Sequence, residues 1–402
     1  MELVSIDQIE RAHSLLADVA QRTPLEYSQA LSTICGGPVY LKCENLQLTG
    51  AFKIRGAYNR LHGLSAGDRQ RGVVAASAGN HAQGVALAAN MLGIEATVFM
   101  PAGAALPKVE ATRAYGAEVV LRGADYNEAF DAASEFVAAT EKIMVHPFDH
   151  ADIIAGQGTV ALQVFEQLPE AATLVVPVGG GGLISGIAAA AKGRSEEIRV
   201  VGVEPVGAAA LSKSVEAGHL VQLTEVSTVA DGLAAKAPGE LTLAHVTRLV
   251  DQLVTVTDDE IAQGLLLMLE RAKLIVEPSG AAGVAALFGG LADLRFPVVV
   301  VLSGGNIDPM LLLRIIRYGM SSSGRYMSFR TRISDRPGEL ARLLGVLASA
   351  GGNVVGVEHH REGGLMHLGE VEVALQVETR GLDHVKELES TVKEAGYAID
   401  RL

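Results

Sequence analysis

The segment Thr173-Leu174-Val175-Val176-Pro177-Val178-Gly179-Gly180-Gly181-Gly182-Leu183 is the clearest indication of the chain's architecture. Apolar and β-branched residues up to Val178 predict a buried strand, and the alanine-rich pattern from Leu183 to Lys192 predicts a helix. The four glycines between them form the connecting turn. A buried strand that leads through such a turn into a helix is the repeating unit of an α/β fold, in which sites form at the carboxyl ends of parallel strands.

The same alternation extends over residues 1–320. Aromatic residues make up only 4% of the chain, which fits helices that lie close on a parallel sheet. The stretch Gln83–Leu92 predicts a further helix. Further buried strands are predicted over Val73–Ala76, Ala96–Met100, Ala117–Leu121, Arg199–Val203 and Pro297–Leu302.

A different pattern follows Ser321-Ser322-Ser323-Gly324, which predicts a flexible linker over residues 321–325. Residues 326–402 are expected to form a separate α+β domain in the ferredoxin-like order β-α-β-β-α-β. Its predicted elements are the strand Tyr326–Ser334, the helix Pro337–Ala350, the strands Asn353–Arg361 and Leu368–Glu378, the helix Leu382–Ala395 and the strand Tyr397–Leu402.

The composition limits the possible partners and compartments. A chain of 402 residues suffices for two or three domains, and its net charge of −13 argues against nucleic-acid or anionic-membrane partners. There is no apolar run long enough to span a membrane and no signal-peptide pattern. Cys35 and Cys43 match no metal or redox motif, so inert thiols in a cytoplasmic protein are expected.

The four glycines, Gly179 to Gly182, suit an anion. Successive N–H groups without side chains converge there, and the following helix adds the positive end of its dipole. The spacing of a dinucleotide fingerprint and the Gly-Lys-Ser/Thr of a P-loop are both missing, so an isolated phosphate monoester is the predicted ligand. A plain tight turn is the alternative.

Ser77-Ala78-Gly79-Asn80-His81 lies between another strand and helix. Its small residues expose N–H groups that can hold a carboxylate at a helix start. Asn80 can form a hydrogen bond to a ring hydroxyl. His81 is either a general base or a structural histidine, and the sequence does not decide between them.

Lys53 stands after an aromatic ring in Thr49-Gly50-Ala51-Phe52-Lys53-Ile54-Arg55-Gly56-Ala57. A lysine that forms a Schiff base must lose its proton easily, and partial burial lowers the pKa in that direction. A solvated lysine is the alternative. Ser303, in Ser303-Gly304-Gly305-Asn306, is expected at the end of a strand, within reach of a heterocycle nitrogen.

Together these stretches, with Glu277-Pro278-Ser279-Gly280, resemble the fold type II family of pyridoxal-phosphate enzymes and, within it, the threonine ammonia-lyases (threonine dehydratases). The resemblance implies a tryptophan synthase β-like catalytic domain over residues 1–320, with a smaller subdomain of about residues 45–150 inserted in the larger. It implies pyridoxal 5'-phosphate as the cofactor and Lys53 as the residue bonded to it. The implied contacts are Phe52, Asn80 and Glu277 near the ring, Gly179, Gly180, Gly181, Gly182 and Leu183 at the phosphate, Ser303 at the ring nitrogen, and Ser77, Ala78, Gly79, Asn80 and His81 around the substrate carboxylate.

The implied reaction removes water from L-threonine, and also from L-serine, to give a 2-oxo acid and ammonia. A ring nitrogen held by a serine hydroxyl makes the cofactor a weaker electron sink, which favours elimination over transamination. Related serine racemases carry a serine where Ala78 stands, so racemisation is the less favoured alternative, beside serine dehydratase or β-replacing activity and a non-catalytic amino-acid sensor. Those relatives also use an acidic cluster for a metal. This chain retains Glu204 but has Ala210 in place of a carboxylate, so no divalent metal site is expected, while a monovalent ion bound by carbonyls stays an open alternative. Glu277 is alternatively a buried acid that caps a helix.

Residues 326–402 resemble an ACT domain, a regulatory module that binds amino acids at paired interfaces. The similarity lies in Asp335-Arg336-Pro337-Gly338-Glu339-Leu340 and in Gly351-Gly352-Asn353-Val354. It implies allosteric control by isoleucine or valine, as in isoleucine biosynthesis, with Asp335, Arg336, Gly338, Leu340 and Asn353 as candidate site residues. A homodimer or homotetramer is expected.

Overall fold

The structure is a computed structural model that describes residues 2–291, 293–361 and 369–401. It divides into two compact units, Met1–Ile307 and Asp308–Leu402. Among the described residues, no helix is both long and apolar enough to cross a membrane.

The first unit alternates helices and strands along most of its length. Its helices are α1 (Ile6–Leu16), α2 (Gln29–Cys35), α3 (Lys53–His62), α4 (Ala66–Arg71), α5 (Asn80–Leu92), α6 (Leu106–Ala114), α7 (Tyr126–Thr140), α8 (Ala151–Gln167), α9 (Gly182–Arg194), α10 (Ala210–Ala217), α11 (Glu240–Leu249), α12 (Asp258–Leu267) and α13 (Pro278–Phe288). Its strands are β1 (Leu25–Tyr27), β2 (Val39–Lys42), β3 (Val73–Ala76), β4 (Ala96–Met100), β5 (Glu118–Leu121), β6 (Ile143–Met144), β7 (Thr173–Pro177), β8 (Arg199–Pro205), β9 (Gln252–Val256) and β10 (Val298–Val301).

Two sheets make up this unit. The larger has the order β1-β2-β10-β7-β8-β9, and the smaller has the order β5-β4-β3-β6. All strand pairs are parallel except β1 with β2. The predicted α/β fold with two parallel sheets is therefore confirmed, and the smaller sheet is built wholly from residues within the expected 45–150 segment.

The strand order positions the candidate loops. Because β10 and β7 are neighbours, Ser303 and the glycine turn at 179–182 leave the same edge of the larger sheet. Ser77 follows β3 at the carboxyl end of the smaller sheet. Lys53 begins α3, and the segment before it is fixed to the Ser303 loop by a bridge between Ala51 and Gly304.

A buried ion pair between Arg55 of α3 and Glu44 holds α3 in place. Both side chains, Arg55 and Glu44, are fully buried, and Nε of Arg55 lies 2.7 Å from Oε2 of Glu44. Arg55 also donates to Thr159 and Gln163 of α8, at 3.2 Å and 2.8 Å. Because α3 begins at Lys53, this network fixes the segment that carries the lysine.

The second unit contains α14 (Pro309–Ser322), β11 (Tyr326–Ser334), α15 (Glu339–Ser349), β12 (Asn353–His360), β13 (Glu370–Glu378), α16 (Leu382–Glu394) and β14 (Asp400–Arg401). Its antiparallel sheet has the order β12-β13-β11-β14. This is the ferredoxin-like arrangement that the sequence predicts. Leu368, the expected first residue of the third strand, lies outside the described residues.

The structure differs from the predicted linker at 321–325. Ser321 and Ser322 complete α14, and the division between the units falls between Ile307 and Asp308. The hydroxyl of Ser322 donates to the Gly319 carbonyl, which lets serine continue a helix that its composition alone would not suggest.

The two cysteines are free. Cys43 is buried, and burial raises its pKa to about 12, so its thiol is inert as expected. Cys35 is half-buried rather than buried.

Candidate active site

Lys53 occupies the first position of α3. Its Nζ atom donates to the main-chain oxygen of Pro147 at 2.9 Å and lies 5.2 Å from the centroid of the Phe52 ring. Burial lowers the pKa of Lys53 to about 8, although the nearby charge of Glu277 acts in the opposite direction. A substantial fraction of this amine is therefore neutral near physiological pH. The half-buried side chain and its bond to Pro147 favour the first interpretation over a freely solvated lysine.

The glycine turn offers free donors. Within the described residues, the N–H groups of Gly179 to Leu183 donate no hydrogen bond, as expected where a helix begins without a side-chain cap. Gly181 has a φ of +91°, which side chains rarely adopt. A Cβ at Gly180 would lie 2.2 Å from the ring of Phe148. The loop thus combines free N–H groups, as binding of an anion requires, with close packing on Phe148.

The turn before α5 also leaves main-chain N–H donors free. Gly79 is the N-cap of α5 and supplies no side chain, so the first N–H groups of the helix stay available. Its own N–H donates to the hydroxyl of Ser77 at 3.2 Å, which fixes the turn. Ala78 carries only a methyl group here. The main-chain donors of Asn80 and His81 can therefore accommodate a carboxylate.

Asn80 and Glu277 are brought together from elements that are far apart in the chain. Nδ2 of Asn80 donates to Oε1 of Glu277 at 2.7 Å. Burial, followed by the charge of Asp231, raises the pKa of Glu277 to about 7. Glu277 holds the N-cap position of α13 but makes no side-chain cap bond. Its carboxyl group accepts from Asn80 instead, so the alternative of a capping acid is not what the structure shows.

His81 stays neutral. Its Nε2 makes a 2.9 Å hydrogen bond to the carbonyl of Val145, and burial, together with the charge of Lys53, lowers its pKa to about 3. The Nε2 proton is committed to that bond. The structural alternative that the sequence left open for His81 is the one that the geometry favours.

Three residues near the site were not singled out by the sequence. His146 accepts from the main-chain N–H of Asp149 at 2.7 Å through Nδ1, and burial lowers its pKa to about 4. Phe148 packs on Gly180, and Ser279 has a buried hydroxyl with no partner among the described residues. The Glu277-Pro278-Ser279-Gly280 stretch was the available signal for Ser279, and no local signal marked the other two.

The cofactor that the resemblance implies fits these residues. Free N–H groups at Gly179 to Leu183 suit its phosphate, and the half-buried Lys53 is the amine of lowered pKa that its aldehyde requires. Ser303 is buried at the end of β10, and its main-chain oxygen accepts from Phe52 at 3.2 Å. The buried hydroxyl of Ser279 has no partner within residues 2–291, 293–361 and 369–401, which is consistent with a bound polar group.

Glu204 serves another purpose than metal binding. Its carboxylate accepts from the main-chain N–H groups of Leu211 and Ser212 at 2.9 Å and 2.8 Å, and also from the Ser212 hydroxyl. It therefore caps the start of α10. Within the described part of the chain, no group of three or more His, Cys, Asp or Glu residues could hold a metal ion.

The candidate effector residues lie in the second unit. Asp335, Arg336 and Gly338 are exposed in the turn before α15, and Gly338 is its N-cap with a φ of +92°. Leu340 is half-buried on α15. Asn353 begins β12, and its Nδ2 donates to Oε2 of Glu378 at 2.7 Å. The five residues thus lie around the start of α15 and the start of β12.

Comparison with known proteins agrees with this geometry. Residues 16–304 match the family described as pyridoxal-phosphate dependent enzyme. An L-threonine ammonia-lyase of Thermotoga maritima is 45% identical over 397 residues, which is 99% of either chain. Among solved structures, the processed form of threonine deaminase isoform 2 from Solanum lycopersicum is 36% identical with a TM-score of 0.75, covering 79% of this chain and 95% of its own. A maize serine racemase is also 36% identical with a TM-score of 0.75, covering 80% of this chain and 99% of its own.

Proposed function

Because the chain belongs to the pyridoxal-phosphate dependent enzyme family, we propose that it converts L-threonine to 2-oxobutyrate and ammonia, and L-serine to pyruvate and ammonia. One observation carries the proposal: the same site contains the Lys53 amine, with a pKa of about 8, the Asn80–Glu277 pair, and the free N–H donors at the starts of α5 and α9. The similarity to an L-threonine ammonia-lyase over 99% of both chains supports threonine as the substrate.

When bound, pyridoxal phosphate supplies an aldehyde that bonds to the substrate amine and a ring that accepts electrons from Cα. Lys53 supplies the base: its neutral Nζ removes the proton from Cα. A pKa of about 8 suits this task because the amine is partly unprotonated near neutral pH yet basic enough to accept a proton. The centroid of the Phe52 ring lies 5.2 Å from the amine, and the ring packs beside it.

The remaining residues orient the reactants. Within the 77–81 turn, the N–H groups of Asn80 and His81 hold the substrate carboxylate, and the N–H groups of residues 179–183 hold the cofactor phosphate. Asn80 donates to the ring hydroxyl, and Ser303 contacts the ring nitrogen. A serine hydroxyl stabilises a protonated ring nitrogen less than a carboxylate would, which favours loss of the β-hydroxyl over transamination.

Serine racemase activity is the second candidate, and the likeness to the maize enzyme favours it. Ala78 opposes it, since its methyl group carries no proton for the opposite face of Cα. A non-catalytic sensor is opposed by Lys53, whose buried amine would serve no purpose there.

We further propose that residues 326–402 are an ACT domain through which isoleucine or valine controls the enzyme. The β-α-β-β-α-β order and the open N-terminus of α15 after Gly338 support this. The exposed Asp335 and Arg336, with Leu340 and Asn353, are the proposed contacts. A homodimer or homotetramer and a cytoplasmic location remain predictions from the sequence.

The experiment measures product formation from L-threonine, L-serine and D-serine by wild type and Lys53→Ala. We expect 2-oxobutyrate from L-threonine in wild type and none in Lys53→Ala. Borohydride treatment followed by peptide mapping should place the cofactor on Lys53. Interconversion of D- and L-serine that outpaces elimination would refute the lyase proposal, and a cofactor label on another lysine would refute the assignment of Lys53.

A further inference from the structure

Asn306 closes the Ser303-Gly304-Gly305-Asn306 stretch, and nothing in the proposed reaction uses its side chain. Its Nδ2 atom donates to the main-chain oxygen of Thr49 at 2.7 Å and to Oδ1 of Asn80 at 2.8 Å. A carboxamide nitrogen has two hydrogens, so both donors of Asn306 are used. The Thr49 carbonyl can only accept, which fixes the nitrogen of Asn306 on the side that faces Asn80.

The orientation of the Asn306 side chain determines that of the Asn80 side chain. Since Oδ1 of Asn80 accepts from Asn306, its Nδ2 must face the opposite way, where it donates to Oε1 of Glu277 at 2.7 Å. One hydrogen of that nitrogen remains for the cofactor. We propose that Asn306 is a positioning residue that holds the Asn80 carboxamide in the orientation in which its NH₂ group, rather than its oxygen, faces the cofactor ring. The inference rests on the ring contact of Asn80 in the proposed function.

Glu277 alone does not fix this orientation. As a carboxylate it accepts from the Asn80 NH₂ group, but as a carboxylic acid it can donate to the Asn80 oxygen instead. With the pKa of Glu277 near 7, both forms are present around neutral pH. The charged groups that influence Glu277 are Asp231, Lys108 and Lys53. Asn306 has no proton to lose in this range, so it selects the same orientation of Asn80 at every pH.

A purely structural role for Asn306 is the competing explanation. The Thr49 bond and the close approach of Asn306 to Gly50, whose Cβ would lie 2.3 Å from Oδ1 of Asn306, also stabilise the turn before Lys53. A carboxylate at position 306 would also oppose the Thr49 carbonyl, so the two explanations differ mainly in whether the effects of substitution require the side chain of Asn80. Asn306→Asp keeps the shape but replaces donors by acceptors, which drives Asn80 to turn its NH₂ group away from Glu277. Asn306→Ala only removes atoms and leaves Asn80 free to adopt either orientation.

The test measures the affinity of the apoprotein for pyridoxal phosphate and the absorption maximum of the bound cofactor, without any substrate. The variants are Asn306→Asp, Asn306→Ala, Asn80→Ala and the two double variants with Asn80→Ala. We expect Asn306→Asp to weaken cofactor binding about 10-fold to 100-fold and to shift the absorption maximum, with a smaller effect for Asn306→Ala. In the Asn80→Ala background, both substitutions at Asn306 should change the affinity less than about 2-fold, because the group they act through is gone.

Asn45→Ala is the matched control. Asn45 lies beside Gly305 and donates to a main-chain oxygen, that of Ile275, at 3.0 Å, but it makes no hydrogen bond to Asn80 among the described residues. It should leave the absorption maximum unchanged.

Three outcomes overturn the inference: Asn306→Ala at least as harmful as Asn306→Asp, effects at Asn306 that persist unchanged in the Asn80→Ala background, or an Asn45→Ala variant that shifts the absorption maximum as Asn306→Ala does. If Asn306→Asp does not fold, the comparison of Asn306→Ala, Asn80→Ala and their double variant decides between the two explanations. If wild type binds the cofactor on Lys53 and Asn80→Ala alters neither affinity nor absorption, the inference fails while the proposed function stands. If wild type forms no bond between Lys53 and the cofactor, the proposed function itself fails.

Discussion

The Nζ atom of Lys53 lies 2.9 Å from the main-chain oxygen of Pro147, which is 94 residues further along the chain. Two histidines flank this amine, and both are held neutral: His81 with a pKa of about 3 and His146 with a pKa of about 4. Their own burial is the main cause, and the charge of Lys53 adds to it. No imidazolium therefore stands beside the amine at neutral pH, and the low pKa of Lys53 is due to its burial.

The burial of Lys53 lowers the stability of the folded chain, and this loss can be measured without the cofactor. The pKa of Lys53 falls from 10.5 to about 8 on folding, so the unfolded chain holds more protons than the folded chain between those values. Stability therefore rises with pH across that window, and the destabilisation by Lys53 is complete below pH 8. We expect apo Lys53→Met to be more stable than the wild-type apoprotein at pH 7 by roughly 1–3 kcal/mol, with the difference vanishing towards pH 10.5.

Thermal unfolding of the two apoproteins at several pH values measures that difference. The matched control is Lys213→Met, because Lys213 is exposed on α10 and its removal relieves no burial. A Lys53→Met variant whose advantage over wild type is the same at pH 7 and pH 10.5 would show that the lysine is not destabilised by burial.

Gly180→Ala tests the cradle. A Cβ at this position would lie 2.2 Å from Cδ1 of Phe148, so either the ring or the loop must move. We expect pyridoxal phosphate to bind at least about 10-fold more weakly, since the N–H groups that hold its phosphate lose their alignment. Titration of the apoprotein with the cofactor measures this.

Gly103→Ala provides the comparison, because nothing lies within 4 Å of the Cβ it would add. It should bind the cofactor as wild type does. Equal affinities of Gly180→Ala and Gly103→Ala would contradict the placement of the phosphate in this loop.

The Arg55–Glu44 pair predicts a large effect on stability. Burial alone would raise the pKa of Glu44, but the charge and hydrogen bonds of Arg55 hold it below its usual value. Arg55→Met leaves that carboxylate buried without its partner, which should cost about 3–5 kcal/mol. The double variant Arg55→Met/Glu44→Gln should lose less, because no unpaired charge remains.

Thermal or denaturant unfolding gives the comparison, and Lys386→Ala is the control. Lys386 pairs with Asp383 at 3.2 Å on an exposed helix surface, so its loss should change stability by less than about 0.5 kcal/mol. If the double variant were as unstable as Arg55→Met alone, the cost would come from lost packing rather than from the unpaired Glu44.

The sequence predicted the central strands well because their signal is local. Val73–Ala76 and Ala96–Met100 are runs of apolar residues buried on both faces, and their predicted bounds are those of β3 and β4. The short edge strand β6 and the half-exposed β9 were not predicted, since neither shows a continuous apolar run. The glycine turn and Lys53 were likewise visible as local patterns.

Contacts between distant residues could not be predicted in this way. Arg55 resembles any helical arginine until Glu44 and α8 are packed around it. The bond from Asn306 to Asn80 joins residues 226 positions apart, and only the fold brings them together. Ser321 and Ser322 were assigned to a linker because composition alone favours one, whereas Ser322 satisfies its hydroxyl within α14.

Removal of the C-terminal domain should separate chemistry from control. A chain that ends at Ser322 keeps α14 complete and contains all the proposed catalytic residues. Because the proposed cofactor and substrate contacts all lie in the first unit, we expect it to form 2-oxobutyrate from L-threonine, while isoleucine and valine no longer change the rate. Rates with and without each amino acid, in the full and the shortened chain, measure this. Undiminished sensitivity of the shortened chain would place the effector site outside residues 326–402, whereas a full chain that responds to neither amino acid would refute the proposed effectors.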